Sequence, residues 1–124
     1  MKYFPGSITV VERVKTPYKE IPLPRFEIDR LSDGRYVFNL KAANGASVIF
    51  SEHYRHYHSC RNGIYYLRQG VVPEFYLDEN LEHRYRFISS NGRVLAHSKA
   101  YKSKGACSRS LNVTFALIGT AAIE

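Results

Sequence analysis

Over residues 35–42 the chain alternates between apolar and polar sides. Tyr36, Phe38, Leu40 and Ala42 fall on one side, and Arg35, Val37, Asn39 and Lys41 on the other. A period of two predicts a half-buried strand. Asn44-Gly45 follows, two residues that tolerate positive φ, and predicts a type I′ hairpin turn into a partner strand at Val48–Phe50. Asp33-Gly34 is another turn signal, so Arg25–Leu31 reads as the strand before this pair. Beyond Tyr54 the apolar period lengthens to that of a helix. Tyr57, Cys60, Ile64 and Leu67 share a face there, and Gly70 is placed to end the helix.

The pattern then returns, without a gap, at a fixed offset of 47 residues. Tyr36, Phe38, Asn44-Gly45, Val48, Ser51, Tyr54, Cys60 and Ile64 meet His83, Tyr85, Asn91-Gly92, Leu95, Ser98, Tyr101, Cys107 and Leu111. His83, Tyr85 and Phe87 alternate with Arg84, Arg86 and Ile88, and the chain turns into Val94–Ala96. A second helical face follows on Lys104, Cys107, Leu111 and Thr114. Ser103 is placed to cap this helix, a contribution of about 1 kcal/mol, whereas His56 at the same point of the first copy caps poorly. Self-similarity at one offset, with the same switch of period in each copy, predicts an α+β domain with pseudo-twofold symmetry. It would form one antiparallel sheet with two helices packed on one face. Phe38, Leu40, Ile64, Tyr85, Phe87 and Leu111 are its expected core. Cys60 and Cys107 fall at equivalent core positions and read as small buried hydrophobes.

The string Phe38-Asn-Leu-Lys-Ala-Ala-Asn-Gly45, with Ser51, Tyr54, Cys60 and Gly63-Ile64, resembles the small bacterial YegP-like family, a domain of unknown function (DUF1508). The resemblance covers Arg25 to Leu117 and is strongest over Tyr36–Ile64. In the second copy Ser89-Ser90 replaces the Ala-Ala pair. The resemblance implies two tandem β-β-β-α-β units joined in a single sheet, with the strand after each helix exchanged between units. Val71–Leu77 and Val113–Ile118 would be those strands. It carries over no catalytic residue. The expected organisation is a single domain over 1–124, with an N-terminal extension over 1–24, a first repeat over 25–77 and a second over 78–124. Ser7–Val14 reads as one strand within the extension, and Thr16–Pro24, with three prolines, as a linker or extended edge segment.

A length of 124 residues suits one domain with a modest core, and ten Tyr and seven Phe suit a β-rich fold. Lys2 is followed by Pro5 and Gly6 rather than by the apolar run of a secretory signal. The longest apolar segment, Phe115–Ile123, is interrupted by Gly119 and Thr120 and is too short to span a bilayer. A cytoplasmic protein without a membrane partner is expected, and in that compartment a Cys60–Cys107 disulfide is disfavoured.

Charge changes the picture more than composition does. The net charge is +7, but Glu74, Asp78, Glu79 and Glu82 form an acidic stretch. From His83 to Ile123 there is no acidic residue, while Arg84, Arg86, Arg93, Lys99, Lys102, Lys104 and Arg109 accumulate. Strand alternation sends Arg35, Asn39 and Lys41 outward in the first copy, and Arg84 and Arg86 outward in the second. On the first helix, His58, Arg61, Asn62 and Tyr65 lie opposite Cys60 and Ile64. Arginine interleaved with aromatic and amide side chains can contact phosphates and stack on bases. Arg35, Lys41, Arg61, Arg84, Arg86, Arg93, Lys102 and Lys104 are therefore the candidate residues for nucleic acid. The alternative is a protein-interaction module, an inhibitor or adaptor that docks an acidic partner or pairs through a sheet edge. The stretch Glu74–Glu82 favours this alternative if it lies beside the basic face.

His53, His56 and His58 cluster, but no second set of ligands accompanies them at metal-site spacing, so no metal and no cofactor are expected. No Ser–His–acid order, paired carboxylates or glycine-rich phosphate loop points to catalysis, and the expectation is a non-enzyme. Monomer and homodimer both remain open, because a tandem repeat can satisfy its strand exchange within one chain.

Overall fold

A computed structural model describes residues 10–14 and 22–123. Their elements run β1 (Val10–Val14), β2 (Arg25–Leu31), β3 (Tyr36–Lys41), β4 (Ser47–Ser51), α1 (Tyr57–Arg68), β5 (Val72–Leu77), β6 (His83–Ile88), β7 (Val94–Ser98), α2 (Lys104–Thr120) and β8 (Ala122–Ile123). The expected strand over Ser7–Val14 is present as β1; its first three residues and most of the expected linker lie outside the described residues. The sheet runs in the order β1-β2-β3-β4-β7-β6-β5 with antiparallel neighbours, and β8 joins β2 in parallel. The two repeats meet where β4 pairs with β7.

The residues that recur between copies hold equivalent backbone places. Ser51 Oγ accepts the Phe38 N–H at 2.8 Å, and Ser98 Oγ accepts the Tyr85 N–H at 3.0 Å. Each hydroxyl donates in turn to the carbonyl of the next residue, at 2.7 Å in both copies. Tyr54 and Tyr101 form matching bridges to Tyr36 and His83.

Each hairpin turn differs from the type I′ expected. The Gly45 N–H donates to Ala42 O and the Ala42 N–H to Ala46 O, both at 2.9 Å. Gly45 has φ +86° while Asn44 stays in the negative range, which makes a type I turn closed by a glycine bulge. The register shifts between Leu40 and Lys41 and between Phe87 and Ile88 take up the extra residue.

Both helices lie on one face over a continuous core. α1 turns Cys60, Gly63, Ile64 and Leu67 inward, and α2 turns Cys107, Leu111, Thr114 and Ile118 inward. Phe38, Leu40, Ile64, Tyr85 and Phe87 are fully buried and Leu111 nearly so, as the periodicity predicted. Ser103 caps α2 by accepting the Ala106 N–H at 3.1 Å, whereas His56 gives α1 no side-chain cap. Both cysteines are buried free thiols, and burial pushes both of their pKa values up.

Strand exchange is present, with one correction. β5 follows α1 yet pairs with β6 of the second repeat, as expected. Val113–Ile118, expected to be the other exchanged strand, lies inside α2. Its β-branched composition suggests a strand, but Thr114 and Ile118 continue the inward line begun by Cys107 and Leu111, and burial overrides propensity. The exchanged strand is the short β8, whose Ala122 N–H donates to Pro24 O at 3.1 Å. Arg68 of α1 holds this end in place. Its Nε donates to Ile118 O at 2.8 Å, its Nη2 donates to Ala121 O, and its guanidinium lies 5.6 Å from the centre of the Phe26 ring.

The expectation that Asn39 faces solvent also fails. It points away from the helices, as Val37 does, but β2 and β3 are buried on that side too, together with Glu27, Asp29 and Leu31. Asn39 accepts a hydrogen bond from Ser47 Oγ at 2.9 Å and donates to Asp29 at 3.3 Å. Alternation gives the side of a sheet but not what covers it.

Candidate nucleic-acid interface

The sheet face remote from the helices is charge-paired rather than basic. β5 runs antiparallel to β6 with Glu74 opposite Arg86 and Tyr76 opposite Arg84. Arg86 Nε donates to Glu74 at 2.7 Å, and its guanidinium lies 4.9 Å from the centre of the Tyr76 ring. Arg84 Nε donates to Asp78 at 2.8 Å and Nη1 to Ser98 O at 3.1 Å. The Arg84 bond, with the backbone N–H groups of Glu82 and Asn80, holds the Asp78 carboxyl below the usual carboxylate range. Arg35 is paired with Asp33 at 2.6 Å. The acidic stretch therefore lies beside the outward arginines and neutralises them. His97 lies on the same face, 3.8 Å from Glu52, and burial lowers its pKa.

A different surface is built without carboxylates among its described residues. α1 and the β6–β7 hairpin of the other repeat enclose an open groove of about 910 Å³. Ser59, Asn62, Tyr66 and Gln69, at helical spacing, supply one wall. Ser89, Ser90, Asn91 and Arg93 of the hairpin supply the other, and His53–His56 close one end. Among the described residues no Asp or Glu lines the groove. The Arg93 guanidinium lies 5.7 Å from the centre of the Tyr54 ring, which is itself stacked on Phe38. Ser89 and Asn91 accept the Arg93 N–H at 3.3 and 3.2 Å, which fixes the hairpin from which the arginine projects. Tyr66 is 56% exposed, leaving an aromatic face open to a ligand. Burial, with help from Arg35, lowers the His53 pKa, so this imidazole offers hydrogen bonds rather than charge at neutral pH.

The sequence of the matched segments identifies the family. Residues 32–68 and 78–112 each match the model described as "Domain of unknown function (DUF1508)". The chain belongs to this family. A UPF0339 protein of Mannheimia succiniciproducens is 33% identical over 91 residues, 70% of this chain and 80% of the relative. The UPF0339 protein YegP of Yersinia pestis is 33% identical over 85 residues, 65% of this chain and 76% of the relative. Among solved structures, YegP of E. coli, a protein of unknown function, superposes with a TM-score of 0.73 at 21% identity, covering 86% of this chain and 95% of that one. A UPF0339 protein of Shewanella oneidensis gives 0.71 at 21% identity, covering 81% and 88%. The fold is thus shared, and the family description assigns no activity to it.

The structure does not gather the eight candidate residues into one surface. Arg93 lies in the groove. Arg35, Arg84 and Arg86 are ion-paired, and Lys102 approaches Glu82 at 3.9 Å. Arg61 lies over Tyr65 on the other flank of α1 and donates to the Tyr57 hydroxyl at 3.4 Å. Lys41 is half-buried at the end of β3, and Lys104 is exposed at the start of α2. His56 and His58 stack 5.7 Å apart, and among the described residues no group of three or more His, Cys, Asp or Glu converges on a metal position. Among the described residues no helix is long and apolar enough to cross a membrane.

Arg55, His56, Ser59, Asn62 and Tyr66 were not among the candidates. The repeat itself held a usable signal for them. Ser59, Asn62, Tyr66 and Gln69 have Ala106, Arg109, Val113 and Ala116 as counterparts, while Ser89, Ser90 and Arg93 have Ala42, Ala43 and Ala46. Positions polar in one copy and mostly small or apolar in the other mark the groove.

Proposed function

We propose that this protein is a binding module whose α1–hairpin groove holds a single strand of nucleic acid. The supporting observation is a lining that, among the described residues, carries no acid and brings Arg55 and Arg93 together with an exposed tyrosine and several amide and hydroxyl groups. Arginines beside such a groove contact phosphates, an exposed tyrosine ring stacks on a base, and Asn62 can reach a base edge. Duplex binding on the remote sheet face is disfavoured, because Arg84 and Arg86 would have to leave their carboxylates to meet phosphate.

Fluorescence anisotropy with labelled single-stranded DNA and RNA of mixed sequence tests the reading. The logarithm of affinity should fall by about 0.7 per phosphate contacted for each tenfold rise in salt. Arg55→Ala with Arg93→Ala should weaken binding and flatten that dependence, while Arg84→Ala with Arg86→Ala should leave it nearly unchanged. No binding at about 50 mM salt, where counterion release favours it most, would overturn the proposal. An acidic protein partner would use the same arginines. Capture of such a partner, with no oligonucleotide bound, would replace the nucleic-acid reading.

A further inference from the structure

The two repeats finish their outer edges differently. In the first, β1 and β8 lie beside β2, and Ile28 is 1% exposed. Its counterpart at the 47-residue offset is Phe75 on β5, which is 43% exposed. Among the described residues β5 pairs with β6 alone and is the last strand of the sheet. Phe75 lies opposite the core residue Tyr85 and Leu77 opposite His83, so both project on the helix side. Phe115 of α2, packed at 5.8 Å on Phe87, the β6 residue opposite Pro73, is also exposed. An open edge carrying two large apolar side chains invites another strand.

We propose that two copies of this chain join through β5, continuing the sheet antiparallel across a twofold axis at Phe75. The backbone has the direction this requires. Pro24 O receives the Ala122 N–H, so Phe26 and Ile28, two and four residues on, also turn their backbone groups to the outer edge of β2. Their counterparts are Pro73 and Phe75, and a proline is tolerated where its missing N–H would face an open edge. Centred on Phe75, the pairing lets that residue exchange both bonds with its equal, and each Leu77 N–H reaches the carbonyl of Pro73 of the partner subunit.

The side chains agree with that register. On the helix side Phe75 meets its equal and Leu77 meets the partner subunit's Pro73. On the other side Glu74 meets the partner subunit's Tyr76, and Val72 meets the partner subunit's Asp78, so no like charges oppose each other. The occupant is a second copy because this edge is self-complementary and closes with two chains. A head-to-tail pairing of β5 with the outer edge of β1 would instead propagate into a filament.

Sedimentation velocity of the full chain tests the proposal. At roughly 10–100 μM the wild type should sediment at twice the chain mass and dissociate on dilution. Phe75→Asp should be monomeric at every concentration with an unchanged circular dichroism spectrum, while Val113→Asp, on the opposite flank of α2, should remain dimeric. Independently of any variant, hydrogen exchange at Phe75 and Leu77 in the wild type should slow as concentration rises. A wild type that stays monomeric, or exchange at these two amides that ignores concentration, overturns the proposal. So does a folded Phe75→Asp variant that still dimerises.

Discussion

Phe50 and His97 are counterparts in the two repeats, and they stand directly opposite each other where β4 meets β7, their rings 6.4 Å apart. The pseudo-twofold axis therefore passes through a pair that is chemically unequal. One member is an inert phenyl ring and the other an imidazole that burial keeps less basic than its ordinary value of 6.5. Glu52 opposes that shift, while Arg84 and Arg86 reinforce it.

The pH dependence follows in sign. With its folded-state pKa lowered, His97 binds a proton more readily in the unfolded chain. Its contribution is fully present above about pH 6.5 and is lost as pH falls through the lowered folded-state value. His53 is shifted the same way and adds to the loss. Urea titrations at steps from pH 8 to 5 should show stability declining as pH falls below about 6.5. His97→Phe, which copies its counterpart, should flatten the decline in part and leave the His53 share. An identical slope in that variant would show that His97 does not titrate between the two states.

Leu81 occupies the place that Gly34 holds in the first repeat. Its φ is +60° where the glycine has +88°, and the turn bonds match, with the Leu81 N–H donating to Asp78 O at 3.0 Å and the Gly34 N–H to Leu31 O at 2.9 Å. A left-handed leucine costs about 1–2 kcal/mol, and this side chain, 76% exposed, recovers little of it by packing. Leu81→Gly should raise stability by about 0.5–1 kcal/mol, the gain from strain being offset by the added freedom of the unfolded chain. A lower denaturation midpoint would show that Leu81 has packing not evident from its exposure.

Gly63 makes room for Tyr54. A Cβ there would meet the Tyr54 ring carbon that bears the hydroxyl at 2.8 Å and Phe38 at 3.2 Å. Tyr54 is buried and cannot swing away. Gly63→Ala should therefore cost about 1–3 kcal/mol through overpacking, despite the better helix propensity of alanine. The second repeat admits Ser110 at this position because the Tyr101 and Tyr85 hydroxyls take it as a partner, at 2.6 and 2.9 Å. Thermal melts of Gly63→Ala and Ser110→Gly should both show losses, the second through a missing hydrogen bond rather than a clash.

Arg68→Ala should destabilise by about 1.5–3 kcal/mol, the usual worth of hydrogen bonds from a charged group. It leaves two carbonyls at the end of α2 without their donor. Hydrogen exchange should report the damage at β8 and the β2 residues it covers before it appears elsewhere. Arg68→Lys should recover only part, since an ammonium cannot reach both carbonyls in the planar arrangement that the guanidinium uses. Uniform loss of protection across both repeats would mean that Arg68 supports the whole core instead.

Most of this architecture was legible because the chain states it twice. Period two before Asn44 and Asn91, helical period after Tyr54 and Tyr101, and one offset throughout were enough for sheet, helices, core and symmetry. Val113–Ile118 was misread because the resemblance implied a strand after each helix, although Thr114 already stood on the inward line from Cys107 and Leu111. The binding surface was less legible. Alternation told correctly that Arg84 and Arg86 leave the core, but a single strand's pattern omits its neighbour. A hairpin centred on Asn80 already places Glu74 opposite Arg86, so the pairing could have been counted out. The groove was harder, since its walls come from different repeats and only the closed sheet brings them together.

The return of β8 to β2 has a consequence for how the chain comes to exist. Arg25 and Phe26 meet Ala122 and Ile123, about a hundred residues later in the order of synthesis. A ribosome that has just delivered the first repeat has made a strand whose neighbour is not yet translated, and β4 likewise awaits β7. The apolar faces of Phe26 and Ile49 belong to a core that the newborn half cannot close by itself. Such a half-made sheet is sticky, and its safe passage depends on the speed of translation and on whatever holds exposed strands meanwhile.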